Sequence, residues 1–220
     1  MERTWTIDSE QFRTYQNREM WFGSFYELSL VLSDDFQEIE RRKSLLFSLW
    51  NDYALKGVVT NLQEFGASWQ QLNDVQVIDS YRYYGCLRIS SNVIVGCHSS
   101  FFSIGGMNRF SLSVPLAMLD HTFQVTYPLS RLENEVWKSS IDTILIAIGR
   151  RIYSANPFTL ALIGEEASAT PVGSSAKLRG VLETDEALLV PDPLFTRLDV
   201  VPHGVRFSEG LWWTGEPEIT

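Results

Sequence analysis

Apolar and polar positions alternate from Trp21 to Leu32. Tyr26, Leu28, Leu30 and Leu32 fall on one side of an extended chain and Phe25, Glu27, Ser29 and Val31 on the other. That pattern predicts a strand with one buried face and one mixed face. Ser33-Asp34-Asp35 then supplies N-cap oxygens, with Asp34/Gln37 or Asp35/Glu38 at capping-box spacing. The period next lengthens to that of a helix. Phe36, Ile39, Leu46, Leu49, Trp50 and Tyr53 mark its apolar face, and Glu38, Glu40, Arg41 and Arg42 look outward. Gly57 reads as the helix end and Val58-Val59-Thr60 as a short strand. Three alternating runs follow, carried by Tyr81 to Ile89, Val93 to Ile104 and Phe110 to Val114. Turn signals at Ser90-Ser91-Asn92 and Gly105-Gly106-Met107-Asn108 separate them, and Pro115 stops the last. This is the pattern of an antiparallel meander.

A second helix is predicted after Ser130, whose spacing to Glu133 fits a capping box. Trp137, Ile141, Ile144, Ile148 and Ile152 give its stripe, and Val136, Leu145 and Ala147 widen it, so the helix should be largely buried against the sheet. Asn156-Pro157 ends it, and Phe158 to Ile163 reads as a buried strand. Beyond Gly164, a small-residue loop over Ser168 to Ser175 precedes Pro191, Pro193 and Pro202, which break the rest into short extended pieces. The fold class is α+β: a mostly antiparallel sheet with two main helices on one face. F-Y-E-L-S-L-V-L leads to a helix ending L-L-F-S-L-W, and R-F-S-L-S-V-P-L leads to one carrying D-T-I-L-I-A-I, which suggests a duplicated βαβ plan. Residues 1–220 form one domain, with 165–220 an acidic, proline-broken extension packed on it.

Charge sharpens the picture. The net charge is −9, and residues 165–220 hold ten acids against four bases, so this stretch carries −6 of it. Such a chain is a poor ligand for nucleic acid, whose duplex affinity comes from Lys and Arg neutralising phosphates. A basic protein surface suits it better. No apolar run follows the N-terminus as a secretory signal would require, no run approaches the ~20 residues of a membrane span, and only Cys86 and Cys97 are present. A cytoplasmic protein without membrane contact is expected.

The common catalytic signatures are missing: G-x-G-x-x-G, the Walker loop, G-x-S-x-G and H-E-x-x-H do not occur. His98, His121 and His203 have no partner at metal-ligand spacing, so neither a metal nor a cofactor is expected. Cys97 and His98, as strand neighbours, point to opposite faces. A two-residue turn at Ser91-Asn92 would set Cys86 opposite Cys97, close as free thiols or joined as a cross-strand disulfide. Glu27 is either a buried acid with raised pKa or a carboxylate on the less buried face paired with an arginine. A cleft lined by Tyr81, Tyr83, Tyr84 and Glu27 would make the protein a small-molecule binder or enzyme. Trp212-Trp213, beside the acids of the tail, are either interface anchors, as for a partner or in a larger assembly, or residues that close the core.

The run S-F-Y-E-L-S-L-V-L followed by a helix ending L-F-S-L-W, with Trp5 and Trp21 near the N-terminus, resembles the bacterial polymorphic-toxin immunity proteins, in particular the immunity protein 52 family. The resemblance covers the length, roughly the first 55 residues and the overall plan. It implies an α+β inhibitor of a nuclease toxin, such as an effector of the type VI secretion system, and carries over no binding residue. An acidic inhibitor can steer to a nuclease's basic groove and block it. The surface expected to do so here comprises Glu165, Glu166, Glu183, Asp185, Glu186, Asp192, Glu209, Trp212 and Trp213.

Overall fold

The alternation in the sequence is realised as one sheet. The structure is a computed structural model that describes residues 7–33, 36, 38–65, 81–170, 172, 174–183 and 187–215. Its strands are β1 (Phe25–Val31), β2 (Leu55–Val59), β3 (Arg82–Arg88), β4 (Ile94–Ile104), β5 (Met107–Pro115), β6 (Leu160–Glu165), β7 (Ala187–Pro191), β8 (Val205–Arg206) and β9 (Leu211–Trp213). They lie in the order β2-β3-β4-β5-β1-β6-β7-β9-β8, and every ladder is antiparallel. The helices are α1 (Ser9–Gln16), α2 (Ile39–Trp50), α3 (Leu116–Phe123), α4 (Glu135–Ala155), α5 (Ser175–Glu183) and α6 (Asp192–Leu198). The fold is α+β.

β1 is central because both its edges are paired. Leu28 lies opposite Leu112 of β5 and Ile163 of β6. Its Tyr26, Leu28 and Leu30 join α2 (Leu45, Leu46, Leu49, Trp50) and α4 (Trp137, Ile141, Leu145, Ile148, Ile152) in the main core. The two main helices therefore share one face. β5 and β6 run parallel to each other with β1 between them, and α4 lies on the path that joins them. β1, α2 and β2 repeat that β–α–β sense with three strands intervening. Both halves follow a split βαβ plan in which no two parallel strands touch.

The second face is covered too, which the pattern did not show. At one end Ile7, Tyr15, Trp21 and Met118 cluster on Val59, Cys86 and Ile94. At the other, Leu178 and Leu182 of α5 and Leu194, Phe195 and Leu198 of α6 pack on Leu160, Leu162, Leu188 and Val190. The tail is thus not broken into extended pieces. Pro193 sits in the first turn of α6, where its missing N–H costs nothing. Nor is the tail an added layer, since β7, β9 and β8 continue the sheet itself.

Other local expectations shift. Gly57 lies inside β2, not at the helix end: α2 stops at Trp50, with Asn51 as its cap. Gly57 and Gly85 face each other beneath Trp50, and a Cβ on Gly85 would come 2.3 Å from the indole, so the glycines make room for that ring. Ile39 and Tyr53 are exposed rather than on the buried stripe of α2. α4 begins at Glu135 after a 3-10 turn, without the Ser130/Glu133 capping box, and no side chain caps its start. Asp34, Asp35 and Gln37 of the other capping proposal, and Trp5, lie outside the described residues. Cys97 pairs with Gly85 and Cys86 with Gly96, one step from the expected register, because Ile89 and Ser90 both donate to the Val93 carbonyl. That single step turns the two thiols to opposite faces. Both are buried and free.

Candidate functional site: an acidic groove beside the long helix

Where β1 begins and β6 ends against α4, the sheet and helix leave a groove of about 480 Å³. Its three carboxylates come from two elements: Glu135 and Asp142 on α4, and Glu165 at the end of β6. One ammonium, that of Lys138, shares the lining and lies 3.6 Å from Glu135. Asp142 stands one residue beyond the buried Ile141, so the helix carries it to the margin of the core. There the Tyr26 hydroxyl donates to its Oδ1 at 2.7 Å. Tyr26 is itself fixed edge-on against Trp137, with ring centroids 5.4 Å apart. Burial raises the pKa of Asp142 to about 6, helped by Glu135 and opposed by the Tyr26 hydrogen bond and Lys138. Burial, and then the neighbouring Asp142, also push the Tyr26 phenol up.

The groove is flanked by a stiff loop. Asn134 is fully buried and uses both ends of its amide. Oδ1 accepts from Thr126 N at 3.0 Å and from Trp137 Nε1 at 3.1 Å, while Nδ2 donates to the carbonyls of Thr126 and Leu129. The loop so tied projects Tyr127 and Leu132 into solvent, and Val136 in the first turn of α4 joins them, Leu132 at 83% and Val136 at 80% exposure. Burial and the charges of Glu165 and Asp120 raise the Tyr127 phenol, which sets that ring in the field of the groove's acids. Val136 is not part of the buried stripe. Three exposed apolar side chains beside carboxylates are the makings of an interface. Asn134→Ala is expected to strand the Thr126 and Leu129 carbonyls and the Trp137 indole, at about 1–3 kcal/mol. The amides of residues 124–134 should then lose hydrogen-exchange protection relative to β1; unchanged protection would contradict the role given to Asn134.

The residues anticipated for a binding surface divide sharply. Glu165 lines the groove. Glu166, in left-handed backbone, turns back and accepts from Phe25 N at 3.0 Å, pinning the start of β1. Asp192 accepts from Arg206 at 2.6 Å and from the Trp212 indole, and Glu209 accepts from Arg150 at 2.7 Å. Those arginines hold both carboxyls below their ordinary values, so their charge is already answered within the chain. Trp212 is half-buried against Phe195. Trp213, at 3% exposure, closes the main core and is not an exposed anchor. Asp185, Glu186 and the side chain of Glu183 lie outside the described residues.

The tyrosine cleft does not form. Tyr83 is buried in the main core, whereas Tyr84 and Glu27 belong to the opposite face. Glu27 is 3% exposed and accepts from Ser168 N at 2.6 Å and Ser113 Oγ at 2.8 Å. Burial raises its pKa and these hydrogen bonds lower it. Arg109 lies near it and donates to the Ala167 and Thr170 carbonyls. Glu27 therefore fastens residues 167–170 to the sheet. Among the described residues no three His, Cys, Asp or Glu side chains converge as metal ligands, and no helix is long and apolar enough to cross a membrane.

Sequence reasoning missed the roles of Tyr26, Glu135, Asp142, the loop residues Tyr127 and Leu132, and Val136 at the start of α4. One signal was present: Asp142 is an acid set directly beside the apolar stripe of α4. No family model, no curated protein and no solved structure matches this chain.

Proposed function

We propose that the protein is a cytoplasmic immunity protein, which binds a cognate toxin with a basic surface, a nuclease of the type VI secretion effector kind, and blocks it without catalysis. The observation that supports this is the groove: three carboxylates against one ammonium, in a concavity large enough for a lysine or arginine side chain, beside a stiff apolar loop. Cationic side chains of the toxin enter the groove, and Tyr127, Leu132 and Val136 bury apolar area around it. The charges steer the encounter; the loop supplies contact area without an ordering cost at binding.

The test is co-expression with the basic effector encoded beside its gene. The wild type restores growth. Glu135→Lys with Glu165→Lys leaves the melting curve in place, since both side chains are exposed, and lowers affinity at least tenfold, mostly through a slower association. Undiminished rescue by this pair would sink the assignment of the groove, and rescue by neither protein would sink the function. Binding also has a pH signature. A cation in the groove prefers ionised Asp142, so affinity falls as pH drops through about 6.

A further inference from the structure

At the opposite end of the sheet, on the face away from α2 and α4, a second concavity has the reverse chemistry. Arg82 and Tyr84 of β3, the turn Arg18–Trp21 with Phe22, and Thr60 to Leu62 after β2 enclose about 590 Å³. This lies within the range of roughly 300–1,000 Å³ usual for small-molecule sites. Among the described residues that line it there are two guanidinium groups and no carboxylate, in a chain whose net charge is −9. Neither Arg18 nor Arg82 forms an ion pair among the described residues. Arg82 is held over the Phe25 ring, 5.6 Å from its centroid.

The walls are aromatic and fixed. Trp21 donates its indole N–H to the Tyr15 carbonyl at 2.7 Å and meets Tyr84 edge-on at 4.9 Å. Phe22 and Tyr81 stand exposed at the rim, where they add nothing to the core. Behind Trp21 and Tyr84 lies His98, buried with both ring nitrogens unpartnered. Burial and the charge of Arg82 hold that imidazole neutral, down at about 3, so it adds no charge to the cleft.

We propose that this cleft binds a small planar anion, an aromatic ring bearing a phosphate or carboxylate, with the ring against Tyr84 and Phe22, in front of the buried Trp21, and the anion on Arg18 and Arg82. Guanidinium groups suit both anions through paired N–H donors, and aromatic faces suit the ring. The site shares no residue with the acidic groove and stands whether or not the protein is an immunity protein.

The test follows the assigned Trp21 indole N–H resonance of the full chain during titration. Two probes, adenosine monophosphate and salicylate, carry the two anions; adenosine and inorganic phosphate are the half-ligands. At least one probe should move the Trp21 signal saturably, while each half-ligand binds roughly tenfold or more weakly. Arg18→Gln, at an exposed position, and Arg18→Gln with Arg82→Gln should weaken the active probe stepwise at an unchanged melting temperature; if the double variant melts lower, the single variant decides. The proposal is overturned if neither probe moves Trp21 up to millimolar concentration. It is overturned equally if a half-ligand binds as well as the probe, or if Arg18→Gln leaves the affinity unchanged.

Discussion

Trp213→Ala is expected to cost about 3–5 kcal/mol, the range for removing a large aromatic side chain from a packed core. Few other single changes in this chain should cost more. The ring lies in the main core with Leu189 and Ile163, and Leu189 pairs with Trp213 across β7 and β9. Gly215 gives way to it as well: a Cβ there would come 2.4 Å from the indole. Truncation leaves a void that β9, short and near the sheet edge, cannot refill from its own neighbours. Against a total of about 5–15 kcal/mol for an ordinary protein, that is about a fifth of the stability or more. The adjacent Trp212→Ala should lose only a half-buried ring and one hydrogen bond to Asp192, about 1–2 kcal/mol. Urea denaturation of the two variants measures the contrast. Equal, small losses would return Trp213 to the status of an interface anchor and remove the account of the tail as part of the core.

Adjacent tryptophans with opposite roles show how far the sequence could be read. A period of two guarantees that Trp212 and Trp213 face opposite sides of a strand; it does not say which side is core. For β1 the ambiguity was small, because Tyr26, Leu28, Leu30 and Leu32 are uniformly apolar and Glu27 and Ser29 are not. The α+β class and the two long helices follow from such runs. The cysteine register did not, because it turns on whether the Ile89–Val93 connection spends one residue more or less, and no apolar pattern records that. Val136 misled for a different reason. It is the second residue of α4 and shares its row with Ser140 and Thr143, both exposed, so it meets solvent although Trp137 beside it is buried. The acidic groove was the least legible feature. Tyr26, Asp142 and Glu165 are far apart in sequence, and only the placement of β1 between β5 and β6, with α4 across them, brings them together. Total charge pointed to acids in the tail, yet Asp192 and Glu209 are neutralised by Arg206 and Arg150, while Glu135 and Asp142 of α4 are not in the tail at all.

Arg109→Met should destabilise the protein by about 2–5 kcal/mol, and by more at pH 8 than at pH 5. Arg109 is 1% exposed, so the change leaves the Ala167 and Thr170 carbonyls without its donors. It also removes a cation that lies close enough to Glu27 for their charges to interact. The pH dependence comes from that second loss. The Glu27 carboxyl is raised in the folded protein above its ordinary value of 4.5, first by burial. The folded state therefore binds this proton more tightly than the unfolded state. Between the ordinary and the raised value the native form holds more protons, so Glu27 makes stability fall as pH rises through that window. Without Arg109 the ionised form loses a favourable neighbour, its pKa climbs further, and the window widens upward. Wild type and variant should thus differ least at pH 5, where Glu27 is closest to protonated, and most at pH 8. Glu27→Gln in the Arg109→Met background should flatten the profile, since an amide removes the charge while its one oxygen still accepts from Ser168 N and its NH2 can donate to Ser113 Oγ. Melting temperatures across pH 5–8 for the three proteins decide it. A loss that is the same at every pH would mean that Arg109 serves only as a clamp on residues 167–170 and that its charge plays no part in keeping Glu27 inside the sheet.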